Sequence, residues 1–203
     1  GTGDVTISGA ITSGGFGLAF KNGGNHNLTN TTNTLSTISA TNISSLAVKN
    51  NADLTVGAVN SVSGISAVGN VTLDVTGTIT IGGNLTTTAS ASSSNTGIQM
   101  LATKHVLFAS GNYVITSGGG QVVLASSLSG NYVGGVVREY PNSGSTTITT
   151  NGGHLWIGGS SVTKDVNGQV TAIGYALGDN SNLSTASPEG IRFYGDVTFN
   201  TGG

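Results

Sequence analysis

Short stretches in which apolar and polar residues alternate recur along this chain, and each begins with turn chemistry. The best copies open with Asp or Asn, an apolar residue and threonine; they are Asp4–Ile7, Asn27–Thr29, Asp53–Val56, Asn70–Leu73, Asn84–Thr86 and Asp196–Phe199. Apolar residues two positions apart face one side of a strand, and the threonine between them faces the other. The preceding glycine or small residue favours a tight turn. One turn and one short strand, repeated imperfectly, indicate a β-solenoid.

The spacing of these signals predicts stacked strands along the whole chain. At about 20 residues a coil, the sequence would form on the order of ten coils, with Leu18 and Phe20 opening the second one. The stretch Gly97–Phe108 has some helical spacing but lacks a convincing cap, so we expect strand and loop there. Valines on both sides of the turn dipeptide Asn167-Gly168 predict a hairpin.

The domain organisation follows from the same pattern. Gly1 begins in mid-pattern, and the final Asn200–Gly203 would lead naturally into another turn and strand like that of Gly3–Val5. We therefore expect residues 1–203 to be a single β-solenoid segment of a longer chain. A decorated insertion is expected at about 158–189, where the alternation is interrupted.

Composition favours a stacked coil over a disordered chain. The 34 glycines, 7% charged residues and 5% aromatic residues would by themselves suggest disorder. However, β-branched residues are frequent and alternate, and the mean hydropathy is +0.13. Each coil of a solenoid needs only a few inward apolar residues, because backbone ladders join neighbouring coils.

Charge and cysteine content exclude several classes of partner. The net charge is −2, and the six Lys and Arg residues are scattered, so no nucleic-acid surface is expected. No basic amphipathic stretch and no apolar run of roughly 20 residues is present, so membrane insertion is not expected. The absence of cysteine excludes disulfides and thiolate metal sites.

Several short stretches of the chain resemble sequences of a known family. They are the run Gly152–Gly159, the repeated Gly-Asp-Val-Thr at residues 3–6 and 195–198, and the run Thr78–Thr86. In these the chain resembles filamentous-haemagglutinin-type exoproteins, which are very large bacterial surface adhesins. The resemblance implies a right-handed parallel β-helix, secretion to the bacterial cell surface, and adhesive or scaffolding work. It implies no catalytic residue.

A contact surface is predicted around the insertion, because loops on a regular scaffold often carry function. Trp156 is the outward residue between Leu155 and Ile157, so it should pack on the insertion, a neighbouring chain or a ligand. The other candidates for this surface are Asp165, Asn167, Tyr175, Asp179 and Arg192. Asp165–Gly168 and Asp179–Asn182 have the alternating oxygens of a calcium loop, but turn formation explains them as well.

These observations favour a non-enzymatic structural segment of a bacterial cell-surface adhesin or extracellular fibre. No cofactor or metal is expected. The expected partners are neighbouring copies of the chain or flanking solenoid segments, with a host or surface glycan as a further candidate. The expected location is extracellular, at the bacterial cell surface. One alternative is a carbohydrate-binding or polysaccharide-degrading β-helix, which would need paired acidic residues in a cleft for cleavage. Another is an ice-binding solenoid, if Thr6, Thr55, Thr72 and Thr198 align in one array.

Overall fold

The chain is all-β, as predicted, in the computed structural model, which describes residues 3–90, 92, 95–128, 135–138, 144–174, 190–193 and 195–202. Those residues form no helix. The prediction of strand and loop for Gly97–Phe108 is confirmed, since two strands occupy most of that stretch.

The first strands are β1 Val5–Thr6, β2 Gly17–Lys21, β3 Asn25–Leu28, β4 Thr37–Ile43, β5 Ser45–Asn50, β6 Leu54–Val56, β7 Ala58–Val59, β8 Val62–Ser63, β9 Ile65–Ala67, β10 Val71–Val75, β11 Ile79–Ile81 and β12 Leu85–Thr87. The later strands are β13 Ile98–Ala102, β14 Val106–Phe108, β15 Tyr113–Thr116, β16 Val122–Ser126, β17 Gly135–Arg138, β18 Ser145–Thr149, β19 Leu155–Gly159, β20 Val162–Lys164, β21 Val170–Ile173, β22 Gly190–Phe193 and β23 Asp196–Asn200.

Nineteen of these strands form three parallel stacks, and the chain visits the stacks in rotation. Face 1 is the seven-stranded sheet β1-β3-β5-β10-β13-β16-β19. Face 2 runs through β6, β11, β14, β17 and β22, and face 3 runs through β9, β12, β15, β18 and β23. The long strands β2 and β4 pair with each other, and β4 joins face 2 to face 3. We call each pass through the three faces a coil.

The described part of the chain makes seven passes, so the estimate of about ten coils was too high. The pairing register gives the reason, because coil length varies. His26 pairs with Leu46, 20 residues later, whereas Val122 pairs with Leu155, 33 residues later. Leu18 and Phe20 were also misplaced; they lie in β2 and complete the first coil. Only the paired segments must lie in register, and the turns between strands can differ in length from coil to coil.

The core lies between the three faces and is built from aligned apolar side chains. On face 1 one row of stacked residues consists of Leu28, Val48, Leu73, Met100 and Leu124, all fully buried. The matching row on face 3 contains Ile65, Leu85, Ile115 and Ile148, also buried. Each such side chain contributes about 1.5–3 kcal/mol by leaving water. The predicted inward assignment of alternating residues is confirmed.

Two antiparallel hairpins branch from the coils. The first, β7–β8, turns at Asn60 and Ser61, whose φ angles of 47° and 66° suit a two-residue turn between twisted strands. It packs against β2 and β4, and Gly17 leaves room for Val59. The sequence analysis missed this hairpin. The second, β20–β21, lies within the predicted insertion and turns at Asp165–Gln169.

Candidate functional site

The outer side of face 1 changes from polar to apolar along the stack. One outward row contains Asn27, Ala47, Thr72 and Gln99, followed by Val123 and Trp156. In the last three coils these outward residues are covered by the hairpin β20–β21, which we call the cover hairpin (residues 162–173). Leu101, Val123, Ala125 and Val170 are buried there as a second apolar cluster, with Trp156 packed against them.

Two glutamine side chains attach the cover hairpin by imitating strand pairing. The Gln121 amide donates to the Val170 carbonyl at 2.7 Å and accepts from the Val170 N–H at 2.8 Å. The Gln99 amide donates to the Gly168 carbonyl at 2.9 Å. From the hairpin side, Gln169 donates to the Asn95 carbonyl at 2.7 Å. Because Gln121 and Val170 are both buried, the two hydrogen bonds between them are shielded from competing water.

Lys164 adds a charged contact at the other edge of the cover hairpin. Its ammonium donates to the Gln99 side-chain oxygen at 2.6 Å. Desolvation lowers the pKa of Lys164, and the Asp74 carboxylate partly opposes this shift while Lys49 reinforces it. Lys49 and Asp74 form a 3.9 Å ion pair with both side chains about half exposed, which contributes little to stability.

Four of the six predicted contact residues lie in the described part of the chain, and they belong to three different places in the fold. Trp156 lies partly buried beside the cover hairpin, and its indole N–H is enclosed without an acceptor among the described residues. Asp165 and Asn167 lie exposed at the hairpin tip. The Asp165 carboxylate accepts from the N–H groups of Asn167 and Gln169, both at 2.9 Å, so its part is structural. Arg192 belongs to face 2, whereas Tyr175 and Asp179 lie outside the described residues.

A cleft of about 620 Å³ lies between the cover hairpin and the rim of two coils. One wall is the hairpin segment Gln169–Thr171, and the other consists of the stacked segments Gly119–Gln121 and Gly152–His154, with Trp156 beside them. A Cβ at Gly153 would collide with the Gly120 carbonyl, so glycine is needed where these segments meet. Sequence reasoning missed this cleft, although the glycine pairs before Gln121 and His154 were a signal.

Five Asp or Asn residues that precede strands link one coil to the next; four of them open copies of the motif, and Asn112 holds the same position before β15. The side-chain oxygen of each accepts from the backbone N–H of the residue stacked directly on it, at 2.8–3.2 Å. We call this set the acceptor ladder; its pairs are Asp4 with Asn25, Asp53 with Thr78, Asn70 with Gly97, Asn84 with Val114, and Asn112 with Ser145. The side-chain oxygen of Asp or Asn reaches across one strand spacing of about 4.8 Å, which suits both residues to this position.

Two buried asparagines make a second set of links at the turns between faces 1 and 2. Asn50 accepts from the Leu35 N–H at 2.7 Å, and it donates to the carbonyls of Leu35 and Ala52. Asn33 accepts from the Ile11 N–H at 2.8 Å and donates to the carbonyls of Leu28 and Lys49. Each of these amides therefore satisfies backbone groups of adjacent coils that would otherwise be buried and unpaired.

The motif threonines do not form one array. Thr6 and Thr72 lie on face 1, Thr55 lies on face 2 and Thr198 lies on face 3. An ice-binding surface requires ordered threonines side by side on one face, so this distribution argues against the alternative based on these four residues.

His26 is a buried titratable group in the first coils. Its ring contacts that of Phe20 at 4.5 Å between centroids, and neither ring nitrogen has a hydrogen-bond partner among the described residues. Burial lowers the pKa of His26 from 6.5, and the nearby Asp4 carboxylate opposes this only partly. Hydrogen bonds from Asn25 lower the pKa of Asp4, so the Asp4 carboxylate stays charged at a pH at which an ordinary aspartate begins to bind a proton.

We expect His26 to make the protein less stable as the pH falls through 6.5. The unfolded chain binds a proton there before the folded chain does, so protonation favours unfolding. His26→Leu should raise the free energy of unfolding at pH 7 by about 1–2 kcal/mol and should weaken its dependence on pH between 7 and 5. Urea unfolding at both pH values measures this, with the exposed His154→Gln as control. An unchanged pH dependence in His26→Leu would contradict the assignment.

Within the described ranges, no three His, Asp or Glu side chains come together as metal ligands. The same residues include no helix long and apolar enough to cross a membrane. No known protein family, no curated protein and no solved structure matches this chain.

Proposed function

We propose that this chain is a non-enzymatic structural segment of a bacterial cell-surface adhesin or extracellular fibre, wound as a right-handed parallel β-helix. The rotation of the chain through three parallel stacks supports the winding. Right-handedness is the strong preference for connections between parallel strands of one sheet. In such a segment neighbouring coils support one another, and the product is a rigid shaft.

The acceptor ladder is the observation that carries this proposal. Four motif side chains and Asn112 make the same contact to the following coil, and together they occur on all three faces. A chain selected for a single pocket would not need these bonds distributed from the first coil to the sixth. A rod that carries mechanical load requires bonds between its coils. The recurring side chains form such bonds, and each bond resists the separation of two neighbouring coils.

Association with neighbouring copies or flanking segments is part of the proposal. Phe199 is stacked on the fully buried Ile148 but is itself 49% exposed, and Ile191 is 50% exposed although its partner Val136 is buried. Asp196 is stacked on Ser145 and occupies the motif position of the acceptor ladder. A further coil placed on this surface would cover both apolar side chains and donate an N–H to Asp196.

The test is electron microscopy of native surface material from the source cells, labelled with an antibody to this segment. We expect label on fibres or rods that project from intact cells, because the proposed work is mechanical and extracellular. Label at regular intervals along continuous fibres would identify copies as the partners, whereas label on separate short rods would identify a single adhesin shaft. Label confined to dispersed soluble protein would refute the proposed function.

A further inference from the structure

The cleft beside the cover hairpin has an uncharged lining that includes an aromatic ring. Its described lining contains amides, glycine backbone, hydroxyls, His154 and Trp156, with no Asp, Glu, Lys or Arg side chain. Its volume of about 620 Å³ lies in the usual range for small-molecule sites, about 300–1,000 Å³. A charged ligand would lose hydration there without gaining a counter-charge.

The polar groups of the cleft divide into fixed walls and a free group. The amides of Gln121, Gln169 and Asn95 are engaged in holding the walls together. By contrast, the exposed imidazole of His154 has no hydrogen-bond partner within the described residues. A wall fixed in advance lowers the entropic cost of binding, and free donors and acceptors provide recognition.

Trp156 supplies the apolar component of the cleft. Its ring lies 6.1 Å from that of His154 between centroids, so the two rings are neighbours along the rim. Because the indole N–H is enclosed, Trp156 can offer a ligand only the carbon surface of its ring. An aromatic surface beside groups that donate and accept hydrogen bonds suits a molecule with one apolar face and hydroxyls at its edge.

We propose that this cleft binds a neutral oligosaccharide, with a sugar ring against Trp156 and a hydroxyl of that ring bonded to the His154 imidazole. Neutral sugars have an apolar C–H face and hydroxyls that both donate and accept, which matches the two rings. A sugar acid would place an unpaired carboxylate in an uncharged site. The cleft depends on the cover hairpin and not on the hydrogen bonds of the acceptor ladder. Sugar binding can therefore succeed or fail independently of the proposed structural function.

Intrinsic fluorescence tests the proposal directly, because Trp156 is the single tryptophan of the chain. The probes are neutral oligosaccharides of glucose, galactose, mannose and N-acetylglucosamine, with oligogalacturonate as the anionic comparison and adenosine as the planar aromatic one. We expect a saturable change in the emission of Trp156 with at least one neutral probe. No saturable change up to 10 mM, about the weak limit of useful recognition, or binding only of oligogalacturonate or adenosine, would overturn the proposal.

A matched pair of variants locates the binding. Thr171 is exposed and lines the cleft, while Thr163 is exposed on the other strand of the same hairpin and does not line it. Thr171→Arg should weaken binding at least about tenfold by filling the cleft with a charged side chain, and Thr163→Arg should change it less than about twofold. Both variants should melt like the wild type. Equal loss in the two variants, or none in either, would overturn the assignment to this cleft.

Discussion

We expect the double variant in which aspartate replaces both Val71 and Leu73 to lose the cooperative melting transition that the wild type shows on heating. Both side chains are fully buried in β10, and that strand pairs with β5 on one side and β13 on the other. Losing their burial alone removes about 3–6 kcal/mol, and two buried carboxylates without partners add a larger cost. Because β10 lies in the fourth of the seven described coils, the double substitution also interrupts the pairing between the first and the last coils.

Thr72→Asp is the matched control, since Thr72 faces outward between the same two residues and the outward Asp74 is already tolerated on this strand. It should lower the free energy of unfolding by no more than about 1 kcal/mol, the span of strand propensities. Circular dichroism during heating compares the three proteins. If the double variant melted like the wild type, or if Thr72→Asp were equally damaging, the inward and outward assignment of β10 would be wrong.

The second large effect is expected from Asn50→Ala. Asn50 is 2% exposed and satisfies the N–H and carbonyl of Leu35 together with the carbonyl of Ala52. Alanine would leave those groups without partners inside the turn, at a cost of about 1–3 kcal/mol for each group that water cannot reach. We therefore expect a loss of about 3 kcal/mol or more in the free energy of unfolding measured with urea.

The adjacent Asn51 offers a close control. Its side chain is exposed, and its backbone N–H bonds to the Asn33 carbonyl, a contact that alanine keeps. Asn51→Ala should stay within about 0.5 kcal/mol of the wild type. A similar loss in both variants would mean that asparagine stabilises this turn through its backbone preference, and that the buried amide bonds of Asn50 contribute little.

The local elements of this fold were predictable because they depend on near neighbours. The alternation in Val71–Val75 and Ile79–Ile81 is enough to place one row of residues inside, and burial follows it residue by residue. The number and length of the coils were not predictable in the same way. The register between paired parallel strands, whose stacked residues are 18 to 55 residues apart, depends on which strand finds which partner, and several apolar rows of similar width fit one another.

The candidate site was only partly predictable for a related reason. The outward position of Trp156 could be inferred from its two apolar neighbours, since both of these follow the strand alternation. The contacts that form the cleft join distant residues: Gln99 bonds Gly168, 69 residues away, and Gln121 bonds Val170, 49 residues away. Nothing near Gln99 or Gln121 in the sequence distinguishes a glutamine that fixes a hairpin from one that faces solvent.

The acceptor ladder also gives the molecule a direction. In every pair the side-chain oxygen belongs to the earlier coil and the backbone N–H to the later one. A chain that folds from its amino end therefore offers each new segment a coil whose side-chain acceptors are already in place. Folding in that order can proceed one coil at a time, whereas folding from the carboxyl end would leave backbone N–H groups without their acceptors until the preceding coil forms.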